Sequence, residues 1–312
     1  WQHLAVIFLN TVISMAMVQW RPSLHFKASL LQTHFRFSLP FMGHSVTNYW
    51  IRHIDYLLIG RMLSAHALGI YSRAYNLMIF PVNQIANTVA RLAFPALSKH
   101  QDNKPLIWNA FAGLLSSVAV VVFPMMAIAG IYSRELIHIL FGNQWEAAVP
   151  VFKILCGLGA LQSLLAMAGP VYLSTGSTRT MFKVSLITYP FILAAMIAGL
   201  LLGQLEGLAW GYLAGGAIAF LIEMYIVSRM FGKNLSDCFQ AFSKEFMATV
   251  IVMAILIAFR LYVPFSDFQF ITIFLHALAG CLALGVYIYL LRLSKSQGLK
   301  TIASLVGGRG RN

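Results

Sequence analysis

Apolar residues in this chain come in long runs, and the polar positions within two of those runs recur at helical spacing. A run of about 20 residues has the rise needed to cross ~30 Å of hydrocarbon. The pattern therefore predicts about nine membrane-spanning helices, at 4–18, 37–60, 74–97, 106–130, 149–173, 181–203, 208–227, 244–261 and 270–291. Strict apolar-polar alternation is missing, which excludes a barrel. A short surface helix is expected at 133–141, stopped by Gly142, with Trp145 at the membrane interface. Turns are expected at 68–71, at 174–177 and at Glu206-Gly207. Pro81 and Pro124 predict kinks in their spans, and Phe94-Pro95 predicts a helix end near Lys99.

Two spans depart from pure hydrocarbon chemistry. Steps of four, four and three residues put His44, Asn48, Arg52 and Asp55 on one side of the 37–60 helix. Asn83, Asn87 and Arg91 form a second stripe on 74–97, with Gln84 at its edge. An Arg or Asp at mid-bilayer costs roughly 2.5 to 3.5 kcal/mol on an insertion scale, so these stripes are expected to face water or each other across an internal polar cavity. Small residues on 208–227, among them Gly211, Gly215 and Gly216, predict close backbone packing there.

Composition agrees with the pattern. Of 312 residues, 59% are hydrophobic and only 10% charged, against about 25% charged in a soluble domain. The fold class is all-α, a polytopic transmembrane helical bundle. The net charge of +13 is set by basic residues that gather in alternate connectors, 21–36, 99–104, 179–183, 229–244 and 292–312. That asymmetry places the carboxyl terminus in the cytoplasm and makes a nucleic-acid partner unnecessary. Cys156, Cys238 and Cys281 stand apart from one another and from histidine at ligand spacing, which gives no metal site or disulfide framework. No nucleotide, hydrolase or dinucleotide fingerprint appears, so no cofactor and no enzyme chemistry is indicated. The chain starts at Trp1 and runs directly into an apolar segment, so an amino-terminal part is expected to be missing.

Local patterns also carry a resemblance. They are Asp-Tyr-Leu-Leu-Ile-Gly at 55–60, Leu68-Gly69-Ile70-Tyr71 followed by Ala74 and Pro81, Phe94-Pro95-Ala96-Leu97-Ser98, and Leu140-Phe141-Gly142 with Trp145. In this order the chain resembles polysaccharide exporters of the O-antigen and colanic-acid flippase type, within the multidrug/oligosaccharidyl-lipid/polysaccharide superfamily. The resemblance implies two six-helix lobes around a central cavity, often with two helices appended. Residues 1–20 would then be the last helix of a first lobe, 37–230 the second lobe, 244–292 the two added helices and 293–312 a basic cytoplasmic tail. It implies movement of an undecaprenyl-pyrophosphate-linked oligosaccharide from the cytoplasmic to the periplasmic leaflet of a bacterial inner membrane. Membrane lipids, and a polysaccharide polymerase with export machinery, would be its partners. Rival readings are a related multidrug or peptidoglycan-precursor exporter, and a membrane glycan polymerase or ligase.

On that reading Arg52 and Arg91 are candidate contacts for the anionic cargo, because a guanidinium forks onto phosphate oxygens. The bland alternatives are an Arg52 to Asp55 pair at i, i+3 and an Arg91 that snorkels to the cytoplasmic surface. Asn48, Asn83 and Asn87 are candidate sugar contacts or, equally, polar glue between helices. Asp55, Glu223 and His44 are candidates for ion coupling, set against neutral, hydrogen-bonded packing roles. Lys153 is expected to snorkel at the outer interface.

Overall fold

The computed structural model describes residues 2–17, 28–99, 103–263 and 270–299, and every regular element among them is a helix. The expectations for 18–27 and for the tail beyond 299 lie outside the described residues. Two compact units divide the chain, Trp1–Leu39 and Pro40–Asn312. The first holds α1 (Gln2–Met17), whose described side chains are exposed and mostly apolar.

The predicted 37–60 span is broken. It forms α2 (Ala28–Ile51) and α3 (Ile54–Met62), separated at Arg52-His53, where the His53 amide donates three residues back to Trp50. The Asp55 carboxylate accepts the Tyr56 amide, so an anion sits in the first turn of α3, where the unpaired amides favour it. The predicted turn at 68–71 is helical instead. Ser64 caps α4 (Ala65–Ser98) by accepting the Ala67 amide, and the helix continues through Pro81 and Pro95 for 34 residues, roughly 50 Å.

Asn103 caps α5 (Lys104–Ile131), which contains Pro124. The short helix α6 (Ser133–Phe141) has the predicted bounds and ends at Gly142, whose φ of 92° suits a residue without a Cβ. Trp145 lies in a single 3-10 turn, and the Arg73 guanidinium covers both its ring and that of Phe141. The fifth predicted span bends between α7 (Ala148–Leu165) and α8 (Ala168–Ser174).

Helix α9 (Thr178–Met230) is a hairpin of two helical arms that turns at Gly203-Gln204, three residues before the expected Glu206-Gly207. Its arms meet backbone to backbone. A Cβ on Gly199, Gly207 or Gly211 would collide with the opposite main chain, and one on Gly215 would lie 2.8 Å from Ile192 Cα. Gly216 instead faces Leu158 of α7. Small residues thus let two helices pack where no water drives them together.

A capping box of Asn234 and Asp237 starts α10 (Leu235–Tyr262) nine residues before the predicted 244. The last element is α11 (Phe270–Leu293). Helix α7 packs against α4, α5 and α9, while α10 lies on α5 and α11. The main core runs through Tyr71, Met78, Phe111, Leu115, Leu155 and Met196, and a smaller one joins Val252 and Leu256 of α10 to Tyr287 and Leu291 of α11. Four described helical segments are long and apolar enough to cross a membrane: Lys104–Ile131, Ala148–Ser174, Thr178–Met230 and Leu235–Tyr262. Helices α2 and α4 fall short of that measure because their stripes replace apolar residues.

Candidate functional site

The α2 stripe meets the first arm of α9. His44 Nδ1 lies 2.5 Å from Ser185 Oγ, and the Tyr189 hydroxyl donates to Asn48 Oδ1 at 3.2 Å. Arg52 Nε donates to the same Asn48 oxygen at 3.3 Å. Gly43 makes this approach possible, since a Cβ there would lie 2.9 Å from the Phe182 ring. The sequence pattern left this stripe to face water or the asparagines of α4; Ser185 and Tyr189, which bond to His44 and Asn48, lie on α9.

Arg52 is exposed, and among the described residues it forms no ion pair with Asp55. The helix breaks between the two, at 52–53, and the alternative in which Arg52 and Asp55 pair at i, i+3 is not the arrangement seen. Asp55 is 0% exposed and accepts the Tyr71 hydroxyl at 2.8 Å as well as the Tyr56 amide at 2.9 Å. A carboxylate taken out of water needs such donors.

Behind Asp55 lies a group of tyrosines. Tyr71 stacks on Tyr75 and Tyr75 on Tyr212, with centroids 5.8 and 6.5 Å apart, and Tyr56 stands edge-on to Tyr71 and Tyr75. Gln162 of α7 donates to the Tyr212 hydroxyl at 3.2 Å. Tyr56 and Tyr71 stood out in the sequence only as members of the 55–60 and 68–71 patterns, and the group was not foreseen; Tyr71 and Tyr75, one helical turn apart, and Gln162 inside an apolar run were the available signals.

On α4, Asn83 is half-buried and Arg91 is exposed, whereas the Asn87 side chain lies outside the described residues. Glu223, on the second arm of α9, is half-buried beside the Tyr172 hydroxyl. Asp55, Glu223 and His44 therefore occupy separate settings. No cluster of three or more potential metal ligands exists among the described residues.

A further carboxylate escaped the sequence reading. Glu245, 1% exposed and about three turns into α10, accepts the Ser116 hydroxyl at 2.6 Å and the Ser296 hydroxyl, and Ser116 Oγ accepts the Gly298 amide. It ties α5, α10 and the segment after α11 together.

Residues 1–150 match a family described as "Polysaccharide biosynthesis protein". The chain is 30% identical over 231 residues to the teichuronic acid biosynthesis protein TuaB of Bacillus subtilis, covering 74% of this chain and 48% of that one. It is 28% identical over 209 residues to the lipopolysaccharide biosynthesis protein WzxC of Escherichia coli, covering 67% and 42%. Among solved structures it superposes on the lipid II flippase MurJ, inward closed conformation, with a TM-score of 0.69 and 14% identity, over 92% of this chain and 60% of that chain. The chain thus spans about half the length of those two sequence relatives. The likeness to the flippase is one of fold.

Proposed function

Taking as premise that this chain is kin to membrane proteins of polysaccharide biosynthesis, we propose that it forms part of a flippase for lipid-linked oligosaccharides in surface-polysaccharide assembly. The observation that carries the proposal is Arg52. Its guanidinium is exposed beside a helix break, is held in place through Nε by Asn48, and keeps its remaining donors available among the described residues. A fork of that kind suits a pyrophosphate. Within the Pro40–Asn312 unit, Arg91 supplies a second cation on α4, and Asn48 and Asn83 supply polar contacts for sugars.

In this reading the polar cargo moves past the stripe while the polyprenyl tail stays in the bilayer, which avoids dragging pyrophosphate and sugars through hydrocarbon. The chain acts as a transporter and not as an enzyme. The inner membrane of a bacterium is its place, with the carboxyl terminus in the cytoplasm, as the basic connectors favour. A topology reporter fused after Asn312 is expected to be active only as a cytoplasmic fusion; activity of its periplasmic counterpart reverses the orientation. Residues 37–230 are the second lobe, 244–292 two added helices, and a polymerase with export machinery the partners downstream.

Of the three titratable candidates for ion coupling, Asp55 is already engaged by Tyr71 and by the start of α3, and His44 by Ser185. The test is made in the full-length protein, in cells lacking the wild-type copy. Arg52→Ala together with Arg91→Ala is expected to abolish most surface polysaccharide at normal membrane abundance, and unchanged export refutes the role given to both arginines.

A further inference from the structure

A cavity of 1360 Å³ opens between α5, α6, α7, the second arm of α9 and α10, and it shares no residue with the His44 to Asp55 stripe. Its two ends differ chemically. At one end stand Arg134, Glu135, His138, Lys153 and Arg260. At the other, the buried Phe123, Phe220 and Phe242 close the floor: Phe242 meets Phe123 edge-on at 5.9 Å and Phe220 at 6.2 Å, with the exposed Phe239 and Phe246 beside them.

The acids at the polar end are engaged. Glu135 pairs with Arg260 at 2.7 Å, and Glu146 pairs with Arg134 and His138. Lys153 is exposed and has no hydrogen-bond or ion-pair partner among the described residues. The polar end therefore offers one uncompensated cation at the rim of an apolar groove.

Size and depth narrow the occupant. The volume exceeds the roughly 300 to 1,000 Å³ of sites for small soluble ligands. Phe123 lies eight residues before the end of α5 at Ile131, about 12 Å of helix rise. One leaflet of a ~30 Å hydrocarbon core has about that depth. The lip of the groove also faces outward, because Leu221, Phe246, Ile257 and Leu261 are exposed.

We propose that this groove holds one anionic glycerophospholipid of the adjoining leaflet, its phosphate on Lys153 and its acyl chains lying against the phenylalanine floor. A single polyprenyl chain is narrower than the groove and far longer than one leaflet, whereas a two-chain lipid fits both dimensions. Such a lipid is the solvent at the lip, so mass action keeps the groove filled. Bound there, it joins α10 to α5 and α7, and this holds whether or not the flippase reading does.

The test uses the full-length protein in nanodiscs of phosphatidylcholine with phosphatidylglycerol, followed by mild detergent exchange and native mass spectrometry. Wild type is expected to retain one phosphatidylglycerol in preference to phosphatidylcholine. Lys153→Gln is expected to bring the two lipids to near parity and Lys153→Arg to restore the preference. Ala127→Phe, which narrows the groove, is expected to lower retention of both lipids while circular dichroism stays that of wild type. No retained phospholipid, an undiminished preference in Lys153→Gln, or displacement by added polyprenyl phosphate overturns the proposal.

Discussion

Asp55 shows how much one side chain can settle. Its carboxylate accepts from the Tyr71 hydroxyl and from the first turn of α3, both inside a region closed to water. Asp55→Ala removes both bonds and leaves a buried hydroxyl unsatisfied, a loss of about 1 to 3 kcal/mol. Thermal unfolding in detergent is expected to show Asp55→Ala well below wild type and Asp55→Asn, which keeps an acceptor, between the two. Equal melting of Asp55→Ala and wild type contradicts the anchoring role. Export by Asp55→Asn separates this role from coupling, since an amide cannot carry a proton through the cycle. The spacing of Arg52 and Asp55 was legible in the sequence, but their separation was not: the helix break arises where Asp55 meets a tyrosine 16 residues further on, a contact that no local pattern encodes.

The elements were legible in proportion to how local their causes are. Helix α6 follows from an apolar run and one glycine that can take a positive φ, so its bounds were readable. The start of α10 lies in a polar stretch and depends on reciprocal bonds between Asn234 and Asp237, which hydropathy cannot register. Helix α4 reaches back to Ser64 because a side-chain cap outweighs the turn suggested by Gly69. The α9 hairpin gives the sharpest test at this scale. Gly211→Val forces the arms apart and is expected to destabilise by about 1 to 3 kcal/mol or more, the usual range for overpacking. Gly203→Ala, at the turn with open space around its Cβ, is expected to be nearly neutral. Comparable melting temperatures for the two variants contradict backbone-to-backbone packing.

At the scale of the whole molecule, the described helices build a bundle centred on α7 within Pro40–Asn312, with α10 and α11 added on its α5 side. The all-α membrane class was legible from apolar runs alone. The partners of the α2 stripe were not, because the periodicity of α2 shows which side is polar but not which helix lies opposite. His44 and Asn48 found Ser185 and Tyr189, 141 residues away in each case. Glu245 was hidden for the same reason, its donors coming from α5 and from beyond α11. What remains of the polar stripe after these bonds is Arg52, and the account of function rests on its availability to an anionic cargo.

The most direct measurement follows the cargo and not its downstream product. In spheroplasts that express the full-length protein, the fraction of lipid-linked oligosaccharide reached by a membrane-impermeant sugar-oxidising reagent reports its leaflet. Wild type is expected to hold most of it on the outer side, and Arg52→Ala to keep most of it inside at equal protein abundance. An outer fraction in Arg52→Ala equal to that of wild type contradicts the account.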